Sequence, residues 1–424
     1  MQPILTGFPR FSSPESPLSD MAGSAPSAPL VHTPHTHITR PGTNLAFAES
    51  PPASGRPPLK ILHIYSSPSD GGATVSIAGL CSAFTDRGHR VAVACRAGAD
   101  LLNRLDHRIP VCRLPLRGAL DLASLYRLDR FIRTQDLDWI NAHNGRDYPV
   151  AYMASRMTGA HCAFWRRYYR LNRNTLTRAL FRRADLVITQ NQAQHAAMQA
   201  TLGVDEQRLA CIPEWIELPA RATSTAHGPA ARLAACDKPN RVAVFGSIHP
   251  HKGQKEFVEA AIRVLAERSD VCFFIVGVND SARKSAYFRE ICDTIEAAGR
   301  QSDIRFIDWL PDINEILPQM TLTVVPSHGE AFGRVAAEAM AAGVGVIATE
   351  VAGLCEIVRD DHSGLLIPKG DSAALARAMM RLLSDVALRE RIAQTAQETV
   401  RLEFGYDTVM ARIEQAYRRA EAQQ

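Results

Sequence analysis

No stretch of this 424-residue chain approaches the roughly 20 apolar residues that a bilayer-spanning helix needs. Its start also lacks the basic cluster and short apolar core of a secretion signal. The expectation is a cytoplasmic protein that meets a membrane, if at all, from the inner face of the cytoplasmic membrane. Cysteine occurs nine times but never as a C-x-x-C pair, and most copies sit among apolar neighbours, as in Val93-Ala94-Cys95 and Val271-Cys272-Phe273. That pattern reads as free buried thiols in a reducing compartment, not as disulfides or a metal site. No strand-like run is followed by G-x-G-x-x-G, which sets aside a dinucleotide dehydrogenase. Lysine is nearly missing where positive charge is highest. From Leu59 to Leu218 there are 21 basic against 14 acidic side chains, and twenty of the basic ones are arginine. From Asp237 to Leu402 the balance reverses to 19 against 23. The first half suits an anionic partner; the second need not.

What is present divides the chain. Residues 1–58 are rich in Pro, Ser, Thr and Gly without apolar periodicity and read as a disordered tail, in which His32, His35 and His37 are solvated. Order begins with a strand at Leu59–Tyr65, then a loop, a helix from about Ala73 and a second strand at Val91–Cys95. This β-α-β unit predicts a doubly wound parallel sheet, with later strands at Asp138–His143 and Asp185–Thr189. Residues 59–218 form the first domain and 219–238 a small, polar linker. Residues 239–402 form a second β/α series, with strands at Arg241–Phe245, Val271–Val276, Ile304–Ile307, Thr321–Val325 and Val344–Ala348. Val409, Met410, Ile413 and Tyr417 recur at helical spacing within 403–424, a last helix.

The chemistry concentrates at Pro326–Glu338. An apolar strand ends at Pro326, a loop carries Glu330, and a helical pattern begins after Gly333. Unpaired N–H groups and the positive dipole end gather at such a helix start and stabilise an anion. Glu330 in the loop and Glu338 in the helix add two carboxylates. Phosphates and hydroxyls on one ligand, as in a nucleotide sugar, match that set. A second loop, Gly246–Gly253, precedes another helix and brings Lys252 as a point charge; alone it is an ordinary surface turn.

Together these motifs resemble the retaining glycosyltransferases of family 4, with the GT-B fold of two facing Rossmann-like domains. The resemblance runs from about Leu59 to the C-terminus. Glu330 and Glu338 match the family's E-x7-E, with Phe332 and Gly333 in place. Gly343, Gly353, Glu356, Gly364 and Asp371 follow in order, while Gly71-Gly72, His143 and Ala184-Asp185 match upstream. The resemblance implies that Glu330 binds donor-sugar hydroxyls, Glu338 the ribose, and Lys252 the leaving diphosphate. It implies that Phe332, Gly333, Arg334 and Val335 lie against the donor, that Gly71 and Gly72 admit the diphosphate, and that His143 reaches the transferred sugar. It implies a UDP- or GDP-linked donor, a glycan or lipid-linked acceptor, no cofactor and no metal. The D-x-D at Asp136–Asp138 falls before a strand of the other domain and is not read as a metal site. In the same family the last helix crosses back to the first domain.

One departure bears on chemistry. Ser247 stands where the family carries an arginine on the leaving diphosphate, and Arg334 is the nearest substitute by sequence. Its loss keeps open a sugar-nucleotide or glycan-binding protein with little turnover, and a nucleotide-sugar epimerase on the same fold. On the acceptor side, Trp165–Arg183 holds seven arginines and no acid, interleaved with aromatics. It suits an anionic membrane surface or a phosphorylated acceptor, against a solvated helix face. No recognition fold for nucleic acid accompanies it.

Overall fold

The computed structural model describes residues 57–68, 72–118, 121–168, 174–217, 236–310 and 312–423. The tail reading, Gly71 and most of the linker fall outside these residues. In the first domain seven strands run in parallel: β1 (Lys60–Tyr65), β2 (Arg90–Cys95), β3 (Val111–Arg113), β4 (Trp139–Ala142), β5 (His161–Arg166), β6 (Leu186–Thr189) and β7 (Leu209–Cys211). Their order is β3-β2-β1-β4-β5-β6-β7. Five helices connect them: α1 (Gly72–Asp86), α2 (Leu122–Thr134), α3 (Tyr148–Thr158), α4 (Thr175–Arg183) and α5 (Gln192–Ala197).

The second domain repeats the scheme with six parallel strands: β8 (Asn240–Phe245), β9 (Val271–Val278), β10 (Ile304–Asp308), β11 (Leu322–Val325), β12 (Gly345–Thr349) and β13 (Leu365–Ile367), ordered β10-β9-β8-β11-β12-β13. Its helices are α6 (Gln254–Glu267), α7 (Asp280–Arg283), α8 (Ala286–Ala297), α9 (Arg334–Ala341), α10 (Ala352–Cys355), α11 (Ser372–Ser384) and α12 (Val386–Glu403). The strands are buried on both faces, so they read as continuous Val/Ile/Phe/Ala runs. Each sheet packs helices on both sides, over two apolar layers apiece.

Strand order reverses between β1 and β4 in the first sheet and between β8 and β11 in the second. Open α/β sheets bind ligands in the crevice beyond the carboxyl ends of the strands at such switch points. Here those ends carry Ser66 and His143 in one domain, and Ser247 and Glu330 in the other.

α13 (Tyr406–Glu421) returns to the first sheet, burying Val409, Met410, Ile413 and Tyr417 in the layer that also contains Ile61, Phe84 and Trp139. The Tyr417 hydroxyl takes hydrogen bonds from Asn141 Nδ2 and, at 3.3 Å, Trp165 Nε1.

Two expectations are corrected. Cys236 and Cys272 form a disulfide, where the sequence reading expected every thiol to be free. They stand 36 positions apart, so no spacing motif marks them; the end of the linker returns onto β9 and brings them together. Nor is Trp165–Arg183 one surface. Trp165 and Arg166 close β5, and both are buried together with Arg167 and Phe181. Only Tyr168 and, on α4, Leu176, Arg178, Arg182 and Arg183 are exposed among its described aromatic, basic and large apolar members.

Candidate functional site

The loop after β11 and the loop after β8 are locked to each other by backbone. Gly253 adopts a left-handed φ of 73° and sits so near the Pro326 carbonyl that a Cβ would stand 2.1 Å from its oxygen. The His328 amide donates to the His251 carbonyl at 2.8 Å across the same seam. This contact carries Lys252 to Glu330: Nζ lies 2.6 Å from Oε1, and the Ser327 hydroxyl donates to the same oxygen at 2.8 Å.

α9 begins at Arg334, after Gly333 with φ of 103°, where a Cβ would press on Leu354 at 2.4 Å. Phe332 is buried against Phe404 and Val335 is half-buried. One turn into the helix, the Glu338 carboxylate receives Arg334 Nε at 2.7 Å. Burial pushes the Glu338 carboxyl upward while the Arg334 guanidinium holds it down. Ser247 is exposed, and the contact it makes is through its carbonyl, from Gln254 Nε2 at 2.9 Å. Gly72, the described member of the glycine pair, opens α1 and is exposed, with nothing within 4 Å of where a Cβ would be.

Across the cleft, successive strand ends of the first domain present Ser66, His143, Arg167, Gln190 and Glu214. Glu214 Oε1 accepts from Arg167 Nη1 at 2.9 Å and Gln190 Nε2 at 2.6 Å, while Oε2 lies 3.5 Å from Arg334 Nη1. The order Arg167–Glu214–Arg334–Glu338 is therefore a ladder of alternating charge joining the two domains. Asn191 Nδ2 donates to the Ala331 carbonyl, and the Gln192 amide to Glu356 at 2.7 Å, beside it.

The structure brings Lys252, Glu330, Arg334 and Glu338 into one neighbourhood. It does not leave His143 open. That ring is fully buried, with Nδ1 taken by Arg167 Nε at 3.2 Å and Nε2 by His63 Nδ1 at 2.8 Å. Arg167 stands between it and Glu214. Sequence reading singled out neither His63 nor Glu214, and it named Arg167 only as part of a basic run. The signal available for Glu214 was its position as a lone carboxylate in the apolar stretch Ile212–Ile216, just after a short strand. Asp136 and Asp138 pair with Lys60 at 2.6 and 3.7 Å.

Comparison with known proteins agrees with this architecture. A sequence profile described as "Glycosyl transferases group 1" matches residues 231–399, and one described as "Glycosyltransferase Family 4" matches residues 70–218. A lipopolysaccharide core biosynthesis mannosyltransferase of Rhizobium leguminosarum bv. viciae is 29% identical over 187 residues, 44% of this chain and 53% of that protein. A D-inositol 3-phosphate glycosyltransferase of a Nocardioides species is 29% identical over 253 residues, 57% of this chain and 55% of that protein. The chain thus spans about half the length of these relatives. Among solved structures, Anabaena HepE in complex with UDP and glucose superposes with a TM-score of 0.74 at 23% identity, covering 85% of this chain and 99% of that one. A glycosyltransferase from Rickettsia africae gives 0.76 at 18% identity, over 86% and 98%.

Proposed function

Because this chain belongs to the family 4 glycosyltransferases, we propose that it is a retaining enzyme moving a sugar from a nucleotide-linked donor to a glycan or lipid-linked acceptor. One observation carries the reading: two cation–carboxylate pairs, Lys252–Glu330 and Arg334–Glu338, stand together at the β8/β11 switch point, beside the first turn of α9. Without a donor each pair satisfies itself. With one bound, the carboxylates turn to hydroxyls of sugar and ribose, and the cations to the diphosphate. Phe332, Gly333 and Val335 supply the wall against which the donor lies, and Gly72 the open approach from the first domain.

Positive charge from Lys252, Arg334 and the α9 N-terminus stabilises the leaving diphosphate without a metal. Arg334, released from Glu338, takes the place of the cation missing at Ser247. The acceptor hydroxyl attacks from the face the diphosphate vacates, and a phosphate oxygen takes its proton. The complex of HepE with UDP makes a UDP-linked sugar the first donor to test and a GDP-linked sugar the second. The lipopolysaccharide core mannosyltransferase among the relatives supports a hexosyl group and, by its name, a role in lipopolysaccharide-type glycan synthesis.

The test is release of nucleoside diphosphate from UDP-, GDP- and ADP-sugars. Glu330→Gln is expected to lower the rate about a hundredfold or more, the scale of one lost transition-state contact. Release that is unchanged in this variant would sink the reading. Donor binding without release would instead mark a binding protein, and a changed sugar nucleotide made without acceptor would mark an epimerase.

A further inference from the structure

Glu214 follows β7 and lies between two apolar anchors, Ile212 and Ile216, both buried. The Ile212 amide donates to the Thr189 carbonyl of β6 at 2.8 Å. The Ile216 amide donates, also at 2.8 Å, to the carbonyl of Phe404, which follows α12 of the second domain. Trp215 is buried beside α1, so close that a Cβ on Gly79 would stand 3.3 Å from its ring. The backbone that carries Glu214 is thus pinned to β6, α1 and the end of α12, and its side chain is only 11% exposed. A carboxylate is kept in such a place only if it is paired.

Its two oxygens divide their partners by domain. Oε1 takes Arg167 Nη1 at 2.9 Å and Gln190 Nε2 at 2.6 Å, both from the first domain. Oε2 faces the second domain and meets Arg334 Nη1 at 3.5 Å. Arg334 gives Nε to Glu338 at 2.7 Å, so two carboxylates act on its charge, Glu338 and Glu214. Donor binding treats them differently. Glu338, on the same helix as Arg334, is the one that turns to the ribose. Glu214 is already held through its other oxygen and stays. The 3.5 Å contact is then free to shorten toward the roughly 2.8 Å of a charge-assisted hydrogen bond. The Arg334 charge also bears on Arg167, and Glu214 between them replaces repulsion with two ion pairs. Two guanidinium groups on one carboxylate leave the trio net positive, so Glu214 does not repel the diphosphate.

We propose that Glu214 is the positioning residue for Arg334: fixed to the first domain, it keeps the guanidinium at the diphosphate once Glu338 has turned to the ribose. Glu214 and Arg334 belong to different domains, so the cation that stands in for the arginine missing at Ser247 is aligned only while the cleft is closed. As the bond from the anomeric carbon to the phosphate oxygen breaks, its electron pair goes to that oxygen. The diphosphate gains a negative charge at that moment, and there an aligned Arg334 counts most. The inference rests on the glycosyltransferase reading and adds a residue to it.

The experiment follows release of nucleoside diphosphate by the full chain from the sugar nucleotide that the wild type turns over. Glu214→Gln is expected to lower kcat about tenfold or more while the donor KM changes far less. Glu214→Asp, which keeps the charge but is one methylene shorter, is expected to recover part of the loss. In an Arg334→Gln background, adding Glu214→Gln is expected to cost nothing further, since the group it positions is gone. An unchanged kcat in Glu214→Gln, an equal loss in the two backgrounds, or a loss confined to KM would overturn the proposal. A cooperative melting transition shows that a variant is folded. If Glu214→Gln, which strips Arg167 of its counter-charge, does not fold, the same cycle is read with Glu214→Asp. A wild type that turns over no sugar nucleotide overturns the transferase reading and this assignment with it. Wild-type turnover that Glu214→Gln leaves intact removes the positioning role alone.

Discussion

His63 and His143 fix each other's protons. Arg167 Nε must donate to His143 Nδ1, so His143 carries its proton on Nε2 and passes a hydrogen bond to His63 Nδ1. Neither ring has a free acceptor for another proton. Burial first, then the Arg167 charge, lowers both, His63 to about 3 and His143 well below its ordinary value. In the unfolded chain both titrate near 6.5. Between pH 6.5 and 3 the unfolded state therefore binds protons that the folded state refuses, and stability falls as acid is added. The slope is up to about 1.4 kcal/mol per pH unit for each ring. We expect Tm to drop steadily below pH 6.5, and the slope to flatten in His63→Gln; a Tm that is level from pH 7 to 5 would contradict the assignment. His143 was legible as a motif residue. Its burial was not, because the residues that enclose it come from β1 and the end of β5.

At the scale of elements, the site depends on two loops that touch by backbone. Gly253→Ala is expected to destabilise by roughly 2 kcal/mol or more, since it adds both a strained φ and a clash with the Pro326 carbonyl. It should also weaken nucleoside diphosphate binding by displacing Lys252 from Glu330. Gly299→Ala provides the comparison: φ is 63° there too, but nothing lies within 4 Å of its Cβ position. Equal loss of stability and unchanged nucleotide binding in the two variants would remove the loop contact from the account. The strand, loop and helix around Glu330 were readable because apolar run, proline, polar loop and helical spacing follow one another. β3, β7 and β13 were not, since three residues carry no period. β5 was concealed by its own arginine, which continued the basic pattern beyond it.

At the scale of the molecule, charge and apolar surface converge on one face of the first domain. α3 lies between α2 and α4. Leu122 and Tyr126 on α2, Met157 at the end of α3 and Leu176 on α4 are exposed large apolar residues. Around them Arg127, Arg130, Arg133, Arg178, Arg182 and Arg183 are exposed as well. We propose this face, wider than the basic segment by which it was first suspected, as the contact with an anionic membrane. The protein is expected to sediment with anionic liposomes at low salt and to be released at high salt, with Leu122→Ser/Tyr126→Ser reducing the bound fraction. Absence of sedimentation at low salt would remove the membrane from the account.

The sequence by itself determined the two-domain parallel architecture, because buried strands and amphipathic helices leave local periodic signatures, and it determined the grouping of Glu330 with Glu338, because both lie within one strand-loop-helix unit. Only the tertiary structure decided what those residues meet. Lys252 is 78 positions from Glu330 and Glu214 is 120 from Arg334, and Arg167 is surface or core according to what folds over it. Partners so far apart are set by how the sheets stack and how the domains face each other, and no local pattern records that.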